Sequence, residues 1–69
     1  MAQVPVDQRR QELVEAAFRT IARLGIRRAT TREICAEAGM QQGIFHYCFR
    51  SKQELYRELF RVMVVDMVV

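Results

Sequence analysis

The sequence is poor in the groups that catalysis and metal binding depend on. Its 69 residues contain two cysteines, one histidine and a single serine. Cys35 and Cys48 form no Cys-x-x-Cys pair, and with His46 alone they give no spacing that would close a zinc site. They read as buried or half-buried free thiols of a reducing compartment, with a redox switch as the rival reading. No metal or other cofactor is expected. There are no paired carboxylates at a recognisable spacing, no glycine-rich phosphate loop and no activated nucleophile, so the expectation is a protein that is not an enzyme. Long apolar runs are missing too. No cationic start leads into one, as a secretory signal would require, and residues 62–69 are interrupted by Asp66 and fall far short of the ~20 a membrane helix needs. A cytoplasmic chain with no membrane partner is therefore expected. Acidic residues are the minority, 8 against 11 basic, giving a net charge of +3 and a pI near 9.4. That balance suits an anionic partner but does not single one out. The length suits one domain, burying ~60% of the surface its unfolded form exposes.

What is present is helical punctuation. Residues 1–6, short, uncharged and carrying Pro5, read as a loose arm. Asp7 is placed to cap a first helix, whose Arg9 and Arg10 then oppose the helix dipole unless an anion lies close by; two solvated arginines are the plainer reading. Leu13, Val14, Ala17, Phe18, Ile21 and Leu24 make its apolar stripe, and Glu15 and Arg19 are spaced to pair on its wet side. Gly25 ends it, with Ile26 expected to fold back on Ile21 as in a Schellman stop. After the basic linker of Arg27 and Arg28, Thr30 and Glu33 have capping-box spacing, and Ser51 and Glu54 repeat the device. Ser51 is thus a cap rather than a nucleophile.

Between these two boxes the chain reads as two short helices meeting at Gly39, which can adopt the left-handed conformation that stops the first. Ile34, Cys35 and Ala38 recur at helical spacing, and Cys35, Ala36 and Ala38 are small enough for a close crossing. Met40, Phe45 and Phe49 supply the matching apolar contacts. With Phe45 inward at ~100° per residue, Gly43 and Tyr47 point outward, Ile44 and His46 flank them, and Gln41 and Gln42 lead. That outer face carries no acid. The pattern is a helix-turn-helix.

A fourth helix starts near Lys52 and directs Leu55, Tyr56, Leu59, Phe60 and Met63 toward apolar surfaces. From Val62 it is apolar almost all round, as a helix buried on several sides would be. No Gly, Asn or Pro stops it, so the expectation is that a further domain or another subunit covers it. A valine-rich edge strand is the rival reading, disfavoured by continuity with the helix before it.

Taken together, Ala16 and Ala17, Gly25, Thr30 and Thr31, Gly39, Gly43, Tyr47, Phe49, Ser51 and Lys52 resemble, in register, the pattern of the amino-terminal DNA-binding domain of TetR-like bacterial transcription regulators. The resemblance spans roughly residues 10–59. It departs at His46, where the family most often has a phosphate-contacting Tyr, at Gln41, where it has Ser or Thr, and at Cys35, where it has Ala. The resemblance implies an all-α fold, a small bundle of the homeodomain-like type: an arm over 1–6, a helix-turn-helix domain over 7–50, and over 51–69 a connecting helix leading to a carboxy-terminal effector and dimerisation domain. It implies an effector-responsive regulator, a repressor in the favoured reading, working as a homodimer on a palindromic operator in double-stranded DNA.

Such a domain gains affinity from phosphates and reads sequence with side chains in the major groove. Thr31 and Lys52, at helix starts, are candidates for phosphate contacts. Gln42 is the first candidate for a base contact, since its amide can pair with adenine in two places; Gln41 stands beside it. Gly43 would let the helix approach DNA closely. Tyr47 and His46 are candidates for phosphate, or in the case of Tyr47 a thymine methyl, and Arg32 for base or backbone. Arg27, Arg28 and Arg50 are generic phosphate candidates. Each has an ordinary alternative as a solvated or packing residue. A reading from another class makes the chain a small protein-interaction module docking through residues 62–69.

Overall fold

The computed structural model describes the backbone of residues 6–68 and the side chains of residues 6–65. Four helices follow one another: α1 (Val6–Leu24), α2 (Thr31–Ala38), α3 (Gln42–Cys48) and α4 (Lys52–Val68), with no strand among the described residues. The all-α expectation holds, and residues 62–68 continue α4 as a helix rather than forming a strand. The arm expected over 1–6 lies outside the described residues except for Val6, which already belongs to α1. Asp7 consequently sits in the first turn instead of at the cap. Its carboxylate still favours the positive end of the helix dipole.

The longest helix, α1, is the one the others share. It packs against α2, α4 and α3, while α2 packs in turn against α3. Its sequence suits that role: Ala16 and Ala17 are fully buried beside Leu13 and Val14, and two alanines in succession let neighbouring backbones come close. Around them gather Ile34 and Cys35 of α2, Phe45 and Cys48 of α3, Phe49, and Leu55 and Leu59 of α4. Thr20 is also completely buried. A hydroxyl is tolerated there because it donates to the Ala16 carbonyl at 2.7 Å, so no polar atom is left unpaired. Ala36, expected at the crossing of α2 and α3, is instead exposed; Cys35, one position earlier, makes the contact.

Each turn is stopped by an identifiable device. Gly25 has φ 88°, and its N–H donates to the Ile21 carbonyl at 2.8 Å, the simpler left-handed stop rather than the Schellman form. Ile26 accordingly does not fold away and remains 61% exposed. The Schellman stop appears one corner later. Gly39 (φ 71°, ψ 31°) donates to Ala36, and Met40 donates to Cys35 at 2.9 Å, satisfying two carbonyls that the end of α2 would otherwise leave free. Thr30 caps α2, its hydroxyl accepting from Glu33 N–H at 3.2 Å. Ser51 caps α4 by accepting from Glu54 N–H at 3.3 Å. Here the Glu54 carboxylate reaches past the cap to the Arg50 N–H, at 2.7 Å, so the box closes one residue early.

The pairing expected between Glu15 and Arg19 is not formed. Arg19 turns instead to Glu37 of α2 at 2.9 Å, and Arg23 joins it at 3.3 Å. One carboxylate held by two guanidinium groups ties α1 to α2, and the Arg19 hydrogen bond first, then the Arg23 contact, hold Glu37 below the ordinary carboxylate range. Glu15 accepts from Gln11 on its own helix. The second tie is Tyr56, whose hydroxyl donates to the Ala29 carbonyl at 3.4 Å and binds α4 to the loop before α2.

Candidate nucleic-acid interface

On its own, α3 is a weak helix. It has seven residues, a Gly among them, no acid in its first turn, and an N-cap, Gln41, whose side chain makes no capping bond. Isolated helices of this length are not stable in water. Burial supplies what propensity does not: Phe45 and Phe49 are each 1% exposed, with ring centroids 5.8 Å apart, and removing a Phe side chain from water contributes ~1.5–3 kcal/mol. The helix is thereby pinned by one side and leaves the other open.

On the open side stand Gln42, Gly43, His46 and Tyr47, all exposed, with Gln41 exposed just before them. Tyr47 is the most prominent, at 76% exposure. The His46 and Phe45 rings stand nearly perpendicular, 86° apart, at a centroid distance of 5.7 Å, which holds the imidazole at the margin of the face. A Cβ built on Gly43 would meet nothing within 4 Å. Packing inside the chain therefore does not require glycine at that position.

The other candidates lie on neighbouring elements. Arg32 is exposed in the first turn of α2, while Thr31 and Lys52, opening α2 and α4, are half-buried. Lys52 places its ammonium 5.4 Å from the Tyr56 ring centroid, an arrangement that steadies a cation without neutralising it. Among the described residues, four arginines make ion pairs and six do not. Arg9, Arg10, Arg19 and Arg23 of α1 face Glu12, Glu58 and Glu37. Arg27, Arg28, Arg32 and Arg50, in the loops and on α2, and Arg57 and Arg61 on α4 are exposed and make no ion pair among the described residues. Glu37 and Glu58 tie α1 to α2 and α4, Glu12 pairs within α1, and four of the open arginines lie in or beside the helix-turn-helix.

Cys35 and Cys48 are buried and unpaired with each other. Burial pushes both thiols above their ordinary range; at Cys48 the nearby Arg10 and Arg9 charges work against that shift. Thiols held in the protonated form are poor nucleophiles and poor ligands. Among the described residues no group of His, Cys, Asp and Glu is arranged to hold a metal ion, and no helix is long and apolar enough to cross a membrane.

Sequence reasoning missed Arg10. Expected near phosphate or in solvent, it turns inward: its guanidinium donates to the Cys48 carbonyl at 2.6 Å and lies 4.4 Å from the Phe49 ring centroid. It also approaches Glu58 of α4 at 3.9 Å. Three contacts on one side chain could not be foreseen from partners 38 or more residues away.

A short helix seated by two phenylalanines, with its amide- and phenol-bearing side outward and a tight glycine corner before it, defines a helix-turn-helix domain of the DNA-binding kind. Residues 13–59 match the model of the tetR family of bacterial regulatory proteins, and the chain belongs to that family. It is 41% identical over 59 residues to the HTH-type transcriptional regulator BetI of Agrobacterium fabrum, covering 86% of this chain and 29% of that protein. The HTH-type nicotine-responsive transcriptional repressor HdnoR of Paenarthrobacter nicotinovorans is 45% identical over 47 residues, 68% of this chain and 24% of that protein. The HTH-type transcriptional repressor KstR2 of Mycobacterium tuberculosis is 41% identical over 56 residues, 81% and 28%. The chain thus spans less than a third of the length of these relatives. They are transcriptional regulators rather than enzymes, and the match sets the interaction-module reading aside. No solved structure matches the chain at a significant level.

Proposed function

We propose that the chain binds double-stranded DNA through the outer face of α3, with Gln42 reading a base, Gln41 beside it, and Gly43 permitting close approach. Tyr47 contacts phosphate or a thymine methyl at the groove edge, and His46 contacts phosphate. Thr31 and Lys52 hold phosphates at the starts of α2 and α4, and Arg32 reaches base or backbone. The observation that carries this reading is the two-sidedness of α3: phenylalanines buried beneath, and above them an exposed surface without an acidic residue.

In this reading residues 7–50 form the DNA-binding unit and residues 51–69 a helix joining it to a carboxy-terminal region that dimerises and takes a small-molecule effector. The homodimer sets two copies of α3 on a palindromic operator, ~34 Å apart or a multiple of that. Effector binding alters the separation and releases DNA, so that the regulator works as a repressor, in the cytoplasm and away from membranes. The relatives support the architecture; the exposed apolar residues Phe60, Val64 and Val65 on α4 offer that region a surface to cover.

Titration of the chain against duplex DNA at rising salt tests the reading. Binding should weaken steeply, with a slope in log–log form of about −0.9 per phosphate neutralised. Affinity indifferent to salt would contradict it.

A further inference from the structure

We propose that Arg10 is the positioning residue of the recognition helix: it fixes the carboxy-terminal end of α3 relative to α1 and α4, and thereby sets sequence selectivity, without touching DNA. The proposal rests on α3 being the DNA-reading helix.

The carboxy-terminal end of α3 needs such a fixture. Cys48 is its last residue, so the Cys48 carbonyl belongs to the group that no helical N–H can satisfy. Arg10, 38 positions earlier, supplies the donor at 2.6 Å, and a cation at a helix carboxy terminus is favoured by the dipole. Among the described residues this is the only side-chain hydrogen bond that reaches α3 from another element. The guanidinium is itself held in place. The Phe49 ring lies beneath it at 4.4 Å, and Glu58 of α4 stands 3.9 Å from its other nitrogen. Both charged side chains are about two-thirds withdrawn from solvent, at 31% and 28% exposure. A planar group over one ring, hydrogen-bonded to a carbonyl and facing a carboxylate has little rotational freedom.

The amino-terminal end of α3 lacks any comparable tether, because Gln41 makes no side-chain cap. Phe45 and Phe49 fix how deep the helix sits. Apolar contacts are non-directional, so they leave its sliding and rotation less defined than a hydrogen bond does. Base readout requires placement to a fraction of an ångström. Arg10 supplies the directional restraint, and Glu58 makes that restraint sensitive to where α4 lies.

The experiment uses the full chain and two probes: a duplex enriched by the parent chain from a random-sequence pool, and a random-sequence duplex. Arg10→Gln is compared with the parent at a temperature where both are fully folded by circular dichroism. The proposal predicts that affinity for the enriched duplex falls about tenfold or more, while affinity for random duplex and the salt slope stay unchanged. The Arg10→Lys chain, which keeps a donor but not the stacked fork, should recover part of the selectivity. Equal weakening on both duplexes, with a slope shallower by about one phosphate, would make Arg10 a phosphate ligand and overturn the proposal. Unchanged binding to both would leave it a stabilising residue only, which also overturns it. Should Arg10→Gln fail to fold, Arg10→Lys carries the same three outcomes. If the parent enriches no sequence, the DNA reading of α3 itself fails, and the proposal with it.

Discussion

Phe45 and Tyr47 are two positions apart on one short helix, and one is 1% exposed while the other is 76%. A period of ~100° per residue nearly opposes such neighbours, which is why their roles could be read from the sequence. Their substitutions should separate cleanly. Phe45→Ala should cost ~3–5 kcal/mol of stability in chemical denaturation, since it empties a site that the surrounding core cannot fill. Tyr47→Ala and Gln42→Ala should change stability by no more than ~0.5 kcal/mol yet weaken binding to duplex DNA by ~1–3 kcal/mol. Arg10 and Thr20 were not legible in the same way. Periodicity places a residue on a face, but it does not say that a guanidinium will find a carbonyl 38 positions away, or that a hydroxyl will satisfy itself within its own helix.

At the scale of elements, local chemistry wrote the boundaries. Thr30, Gly39 and Ser51 were identifiable as caps and stop because each acts on backbone within a few residues of itself. Gly39 holds a left-handed conformation with open space around its missing Cβ, so Gly39→Ala should cost ~1–2 kcal/mol from backbone strain alone. A lowered melting temperature with an unchanged helical spectrum would report it. The details that went astray depended on what lies across from an element. Ile26 was expected to fold inward and is exposed, and Phe60, expected to face an apolar surface, is 66% exposed because none of the described elements covers that side of α4.

The tie between α1 and α2 gives a pH dependence whose sign follows from Glu37. Arg19, with Arg23, lowers its pKa in the folded chain, so its contribution is present above the ordinary carboxylate range and is lost as pH falls through the lowered value. Glu37→Gln should therefore be less stable than the parent near neutrality, with the gap closing in acid. A gap that stays constant with pH would show that the carboxylate charge has no part in it.

For the whole molecule, some charges are matched within the fold and others are left open. Glu37 and Glu58 hold arginines of α1 across helices and Glu12 pairs within α1, while Arg27, Arg28, Arg32, Arg50, Arg57 and Arg61 make no ion pair among the described residues. A net charge of +3 does not say which charges are already matched. The fold was legible because four amphipathic segments with clear stops admit few arrangements. The face of α3 was legible as exposed and acid-free, whereas the partner of each side chain on it depends on DNA geometry that no residue of the chain encodes by itself. The central claim, that this face meets DNA, is tested most directly by following backbone amide resonances as duplex DNA is added to the isotope-labelled chain. The account predicts that the largest shifts fall at Gln42, Gly43, His46 and Tyr47, with smaller ones at Thr31, Arg32 and Lys52. Shifts confined to Phe60, Val64 and Val65 on α4, with α3 unmoved, would contradict it.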